Sequence, residues 1–331
     1  MSQSKCPVCS STLKPTLIAK INSEAASRYF VKVSGAIEPK VLQEHIESLW
    51  KSKECQIYKC GKCESNYSYP HVAGDSRFYT LVSPNPTYPN WRWEFDLTKR
   101  QILESFRHED MLLEIGGGSG AFLKLLIDGG VYPQNIVATE FTPVAQLELR
   151  RLGVNVESVN FRLGVPGGPF RFIVLFQTLE HLDNLEIAAK GLGELGTEDA
   201  EVFLSVPNVG YSDWSFDKIG ITDMPPNHVT TFSPEGLRML FEAHGWQIMS
   251  LKMHERNSLV ARCKHGVMRG IIHPDGHIQR MLSLAYLRSS SRLGKLPLFV
   301  FAGLMLLTNP SLVRPVPPEE IWLHAKRKSF S

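Results

Sequence analysis

Three groups of residues in this chain are of types and spacings that could do chemistry. Four cysteines form two pairs, Cys6-Pro-Val-Cys9 and Cys60-Gly-Lys-Cys63. Each C-x-x-C knuckle can put two thiolates on one metal, and two knuckles complete a tetrahedral four-sulfur site. Structural zinc on Cys6, Cys9, Cys60 and Cys63 is therefore expected. A closed four-thiolate site keeps no open position and should not be catalytic. The gap between the pairs is longer than in a usual zinc ribbon and must hold a folded insert. The second group is LLEIGGGSGAFLKLL, residues 112–126: an apolar run into an acid, a glycine cluster, then an apolar run again. Glycine loosens the unfolded chain, so a cluster needs a reason. A backbone passing close beneath a ligand supplies one. Gly116-x-Gly118-x-x-Ala121 satisfies the dinucleotide pattern, which alone is weak. The third group is His181, in TLEHLDN, and His228, in PPNHVTTF. Imidazole can take the proton of a hydroxyl or amine near neutral pH. Each could instead only brace its loop. His244, in EAHGW, reads as a histidine completing a helix end.

The surrounding pattern says what must position these groups. Short apolar runs alternate with helical segments from Met111 onward: MLLEI, NIVATE, VNVESV, FRFIVLF and AEVFLSVP. Strands that alternate with helices imply an α/β fold with a parallel, doubly wound sheet, whose ligand sits at the strands' carboxyl ends. Thr142-Pro143 starts a helix with Thr142 as its cap, Gly153 ends it, and Ser119 or a neighbour opens the helix after the glycines. Ser233-Pro234 starts another that stops near Gly245. WQIMSLKMH and EEIWLHAKR read as late strands. Between the cysteine pairs, Val41, Leu42, His45, Ile46, Leu49 and Trp50 recur at helical spacing within Glu38–Lys53. Cys55 reads as packing in a strand before the second knuckle. SPNPTYPNWRW, from Ser83, makes a loop, and Phe95–Arg107 a lead-in helix. The expected order is a zinc module (1–75), a linker and lead-in helix (76–108), a core (109–262), a helical insertion (263–316) and a final strand and tail (317–331).

Bulk composition narrows the classes. The 331 residues are 43% hydrophobic and 21% charged, ordinary for a globular protein. A net charge of +3 gives no strong basic stripe, so a nucleic-acid partner is not expected. MSQSKCPVCS carries no apolar signal segment, and a cytoplasmic location is expected. The run PLFVFAGLMLL is shorter than the ~20 residues that span a bilayer. With Arg288, Arg292 and Lys295 before it, the stretch 296–307 reads as a covering helix, or as peripheral membrane contact.

The sequence resembles class I methyltransferases that use S-adenosylmethionine (SAM). Their first motif, an acid followed by x-G-x-G-x-G, is matched by Glu114, Gly116, Gly118 and Gly120. IVATEF resembles the second strand ending in an acid, FIVLFQTLEHLDN the fourth strand and its LEH turn, EVFLSVPN the fifth. NHVTTFSPEGLRMLFEAHGWQIM resembles the family's H-x-x-x-F-S-P segment. The likeness covers most of residues 109–255 in order. It implies a Rossmann-like SAM-binding domain. Glu140 would accept the ribose hydroxyls, Phe141 would lie against adenine, Glu114 would help hold the methionine end, and Gln177 would face the same pocket. The (N/D)PP(Y/F) motif of nucleobase-amine methyltransferases is replaced by FQTLEH. A front cysteine module joined to this core resembles bacterial enzymes that modify sugars, nucleotide sugars or surface glycans. Sugar C-methyltransferases of that kind carry Tyr-x-Glu-His where this chain has Pro225-Pro226-Asn227-His228, which leaves O-methylation ahead. The resemblance thus implies transfer of a methyl group from SAM to a small-molecule or glycan hydroxyl, with His181 and His228 as candidate bases. An RNA methyltransferase gripping nucleic acid with its zinc module and a non-catalytic SAM-binding scaffold are the alternatives.

Overall fold

The structure, a computed structural model, describes residues 5–34, 38–82, 88–212, 224–254, 318 and 320–328. Residues 1–252 and 320–331 form one compact unit; residues 253–319 form a second. The expected insertion helix and its membrane-contact stretch lie outside the described residues. Among those described, no helix is long and apolar enough to cross a membrane.

In chain order the elements are β1 (Thr16–Asn22), α1 (Ser23–Ser34), α2 (Pro39–Trp50), β2 (Glu54–Lys59), β3 (Asn66–Tyr69), α3 (Ser76–Val82), α4 (Trp93–Ser105), β4 (Leu112–Ile115), α5 (Ala121–Ile127), β5 (Ile136–Thr139), α6 (Pro143–Arg151) and β6 (Asn155–Glu157). There follow β7 (Phe170–Phe176), α7 (Leu185–Leu195), β8 (Gly196–Pro207), α8 (Val209–Ser212), β9 (Thr230–Thr231), α9 (Pro234–Ala243), β10 (Trp246–Met253) and β11 (Glu320–Arg327). The larger sheet runs β10-β11-β8-β7-β4-β5-β6. Its central pairs β4–β5, β4–β7, β5–β6 and β7–β8 are parallel, and β11 lies antiparallel on β8. This parallel-rich α/β sheet is the doubly wound, Rossmann-like architecture that the alternating elements imply.

Strands β4 and β7 are buried along their whole length, which is why they read as unbroken apolar runs. Alternate residues serve opposite faces. Leu113, Ile173, Leu175, Val202 and Leu204 share a core with Leu192, Leu237, Phe241 and Trp246. Leu112, Phe172, Val174 and Phe203 share another with Phe95, Ile102 and Phe122.

The smaller sheet, β1-β2-β3-β9, is antiparallel. Its first three strands come from the cysteine region and the fourth from beyond β8. Helix α2 fills the gap between the knuckles, as its periodicity predicts, burying Leu42, Ile46 and Trp50 against Phe30, Ile57 and Phe78. Cys55 is buried in the same cluster, in its expected packing role. The knuckle cysteines Cys6, Cys60 and Cys63 instead join the core of Phe232 and Leu237.

One local expectation is corrected, the Thr142 cap, and one is narrowed, the start of α5. Helix α6 begins at Pro143, but the Thr142 side chain does not cap it. The Thr142 backbone N–H is taken by Glu140 Oε1 at 2.8 Å, and the hydroxyl meets Tyr88. Helix α5 begins at Ala121 after a left-handed Gly120, with Ser119 outside it. Ser233 does cap α9, accepting the Gly236 N–H at 2.8 Å.

Candidate active site

The carboxyl ends of β4, β5 and β7 meet where the strand order reverses, and the glycine loop leaves β4 there. Gly116, Gly118 and Gly120 all have positive φ, at 77°, 52° and 77°. A side chain at each would also collide. A Cβ on Gly116 would lie 2.7 Å from Thr178 Oγ1, and one on Gly118 would lie 2.8 Å from the Tyr88 ring. On Gly120 it would lie 2.6 Å from Leu152 Cδ1. The loop is therefore bare because a left-handed backbone and close neighbours both demand it.

Two acids flank the loop. Glu140 follows β5, and its Oε2 accepts the Gly118 N–H at 3.0 Å. With Thr142 on Oε1, each carboxylate oxygen has one backbone donor and keeps a second acceptor site. Glu114 is buried within β4. Burial first, and Glu140 second, raise its pKa well above the usual carboxylate range. Its Oε2 is buried with no hydrogen-bond partner among the described residues. A buried orphan acceptor beside a bare, left-handed loop is the environment that a polar ligand would complete. Phe141 stands 62% exposed next to Glu140, its ring open to a flat partner.

Gln177 directly follows β7 and is itself left-handed, at φ 49°. Such strain in a non-glycine residue persists only where surroundings impose it. Here the Gln177 N–H donates to the Ser205 carbonyl at 2.8 Å and its side-chain amide to Ser205 Oγ at 3.2 Å. Ser205 Oγ in turn donates to Glu94 Oε1 at 2.9 Å. Glu94, in the first turn of α4, is fully buried, and its Oε2 has no partner among the described residues. Burial and then Glu320 push it up to about 7, against the pull of Arg92 and Ser205. Sequence reasoning missed Glu94, since an acid in a first helical turn is an ordinary surface feature.

Beyond Gln177 the chain enters a tight turn, Leu179–His181, and there the two candidate histidines meet. The rings of His181 and His228 stand edge to face with centroids 4.5 Å apart. His228 Nε2 lies 3.9 Å from Glu180 Oε1. His181 Nδ1 lies 2.9 Å from the Asn227 carbonyl oxygen and 3.2 Å from the Tyr79 hydroxyl. Burial, with His228 second, pushes His181 down to about 3, so it is neutral at pH 7. Glu180 and Tyr79 were not picked out by sequence reasoning. The signal for Glu180 was present in the LEH turn. Tyr79 sits in the aromatic stretch that opens the linker, and α3 delivers it to the corner after Asp75 Oδ1 accepts the Phe78 N–H at 2.8 Å.

The stretch holding His228 is gripped from both sides. The Val229 N–H donates to the Glu180 carbonyl at 3.0 Å, and the Ser68 N–H to the Val229 carbonyl at 2.9 Å. Thr230 and Thr231 pair with Tyr67 and Asn66 of β3. Thr230 Oγ1 also meets His71 Nε2 at 2.8 Å. Next to them Ser233 donates its N–H to Ser65 Oγ at 3.0 Å and its hydroxyl to the Cys63 carbonyl.

The four knuckle cysteines converge. Cys6 Sγ and Cys63 Sγ are 3.8 Å apart, and Cys9 Sγ and Cys60 Sγ 3.6 Å apart. All four sulfurs lie within 4.8 Å of one another. Tetrahedral zinc with Zn–S bonds of about 2.3 Å sets sulfurs about 3.8 Å apart, so the spacing fits that ion.

Residues 92–251 match the family model described as a methyltransferase domain. No curated protein matches the chain. Among solved structures it is similar to a SAM-dependent methyltransferase from Archaeoglobus fulgidus, at 16% identity and TM-score 0.44, covering 70% of this chain and 94% of that one. It is also similar to one from Mesorhizobium loti, at 10% identity and TM-score 0.44, covering 71% and 98%. A third is geranyl diphosphate C-methyltransferase from Streptomyces coelicolor A3(2), at 10% identity and TM-score 0.46, covering 76% and 80%. Similarity this distant carries no substrate with it. The family model covers the stretch that carries the parallel sheet and the glycine loop.

Proposed function

We propose that the chain methylates an oxygen of a small molecule, sugar, nucleotide sugar or surface glycan, using SAM. The observation that carries this reading is the bare, left-handed loop of Gly116, Gly118 and Gly120 beside Glu114, whose Oε2 is buried with no hydrogen-bond partner among the described residues. SAM, when bound, supplies a methyl group already activated by sulfonium charge. Glu140 would hold its ribose hydroxyls through the acceptor sites left open, Phe141 its adenine, and Glu114 and Gln177 its methionine end. The chain's remaining work is to align the acceptor and exclude water. His181 and His228 lie just past the β7 end and activate the acceptor oxygen. Zinc on Cys6, Cys9, Cys60 and Cys63 supports the module that grips the His228 stretch, and takes no part in the chemistry.

The test uses methyl-labelled SAM with cell extract split into small-molecule, lipid-glycan and RNA fractions. Label in a small-molecule or glycan fraction, absent with Gly118→Arg, supports the reading. Label confined to RNA, or no SAM binding by calorimetry, overturns it. One zinc per chain by metal analysis supports the zinc assignment, and metal-free protein whose cysteine module is still folded refutes it.

A further inference from the structure

We propose that Glu180, His181 and His228 form a binding site for a divalent first-row metal ion that holds the acceptor's oxygen. The proposal rests on the methyl-transfer reading above and specifies how its acceptor corner works. Each of the three side chains offers one donor atom, and these atoms lie within 4.8 Å of one another. His228 Nε2 and Glu180 Oε1 stand 3.9 Å apart. Donors at about 2.1 Å from a common ion stand about 3.0 to 4.2 Å apart, according to whether they are neighbours or opposite. The corner therefore needs side-chain shifts of well under about 1 Å to close on a metal.

The outer partners suit such a site. A metal-binding imidazole usually gives its other ring nitrogen to a carbonyl or carboxylate, which fixes the tautomer and aims the lone pair. His181 does this through Nδ1, 2.9 Å from the Asn227 carbonyl oxygen. Glu180 and the His228 stretch are joined through the Val229 N–H, 3.0 Å from the Glu180 carbonyl oxygen, so the donors are held on one frame. Two imidazoles and one carboxylate form a donor set that takes first-row divalent ions and leaves coordination positions open. This differs in kind from the closed cysteine site.

Position supports a role in the reaction. Thr178 Oγ1 donates to the Ile115 carbonyl at 3.3 Å, at the start of the glycine loop. Glu180 is two residues further on, at most about 7 Å along the chain. An acceptor oxygen held at this corner loses its proton to solvent. Its lone pair then forms the bond to the methyl carbon, and the electrons of the broken carbon–sulfur bond stay on sulfur. The acceptor class that fits best has a second oxygen beside the hydroxyl, as in a vicinal diol or hydroxy acid, so that both can bind one ion.

Mn2+ titrated into zinc-loaded protein and followed by electron paramagnetic resonance tests the proposal, with SAM titrated calorimetrically into the same samples. The expected result is one Mn2+ per chain beyond the zinc. Glu180→Gln and His228→Asn should each weaken it by at least about tenfold, with zinc content and SAM affinity unchanged. No bound Mn2+ in the wild-type protein, or equal binding in both variants, overturns the proposal. The wild-type stoichiometry decides even if a variant fails to fold. Loss of SAM binding in the wild type would instead overturn the methyl-transfer reading, leaving the Mn2+ result to stand alone.

Discussion

The glycine cradle and the histidine corner are neighbours along β7, yet they are built in opposite ways. The cradle is local: a strand, a loop and a helix within residues 112–127, closed by acids at two adjacent strand ends. The corner is assembled from distant pieces: Tyr79 from α3, Glu180 and His181 after β7, and His228 ahead of β9. The corner leans on the cysteine module directly, through the pairing of β3 with β9. The donor pocket and the acceptor pocket should therefore fail independently.

Removing zinc is the strongest way to separate them. Structural zinc sites contribute on the order of 10 kcal/mol to folding of their modules. Chelation, or Cys6→Ser with Cys63→Ser, should abolish methyl transfer while SAM affinity changes by less than about threefold. Loss of both by calorimetry would show that the cradle also depends on the module. The converse is Gly118→Val, which puts a β-branched residue at φ 52° and into Tyr88. It should weaken SAM binding at least about 100-fold, since strain and collision add, with zinc content unchanged. His228→Asn removes a group that activates the acceptor oxygen, as base or as metal ligand, and should lower the rate at least about 10²-fold, with SAM affinity within about twofold of wild type.

A smaller effect concerns Glu94, which is tied through Ser205 to Gln177 at the end of β7. Its pKa rises from the ordinary 4.5 to about 7 on folding. A raised acid favours the protonated form in the fold, so wild-type stability is lost as pH climbs from 4.5 to 7 and stays lowered above it. Relative to Glu94→Gln, the loss should be on the order of 3 kcal/mol, read by denaturant melts at pH 4.5, 6 and 8. A pH-independent difference would sink the assignment. The smallest effect is expected of Tyr79→Phe, which removes one hydroxyl near His181 and should slow transfer by up to about tenfold, the worth of one hydrogen bond.

Much of the cradle was legible in the sequence because its determinants are short-range. An acid inside MLLEI, the glycine spacing and the acid closing IVATE all act within one strand–turn unit, and the structure brings Glu114, Gly118 and Glu140 together. The parallel core of the sheet followed from the alternation of elements. The Glu94–Ser205–Gln177 chain was not legible, because its two hydrogen bonds join α4, β8 and the end of β7, far apart in sequence. Tyr79 was hidden in the linker segment 76–108, where its partner His181 is 102 residues away in sequence. The shared sheet was hidden more deeply. Two threonines, Thr230 and Thr231, are too short a run to announce a strand, and they become one only because β3 is waiting for them.

That waiting has a consequence during synthesis. Ser65, beside the second knuckle, and Ser233, which clasps it, are 168 residues apart. At roughly 5–20 residues per second, the module stands without its fourth strand for on the order of ten seconds or more. In that interval β3 offers an unpaired edge, and the Cys63 carbonyl lacks the hydroxyl that later caps it. A ribosome stalled between the second knuckle and β9 should hold a chain that can already gather its four thiolates yet still presents a sheet edge to any passing strand.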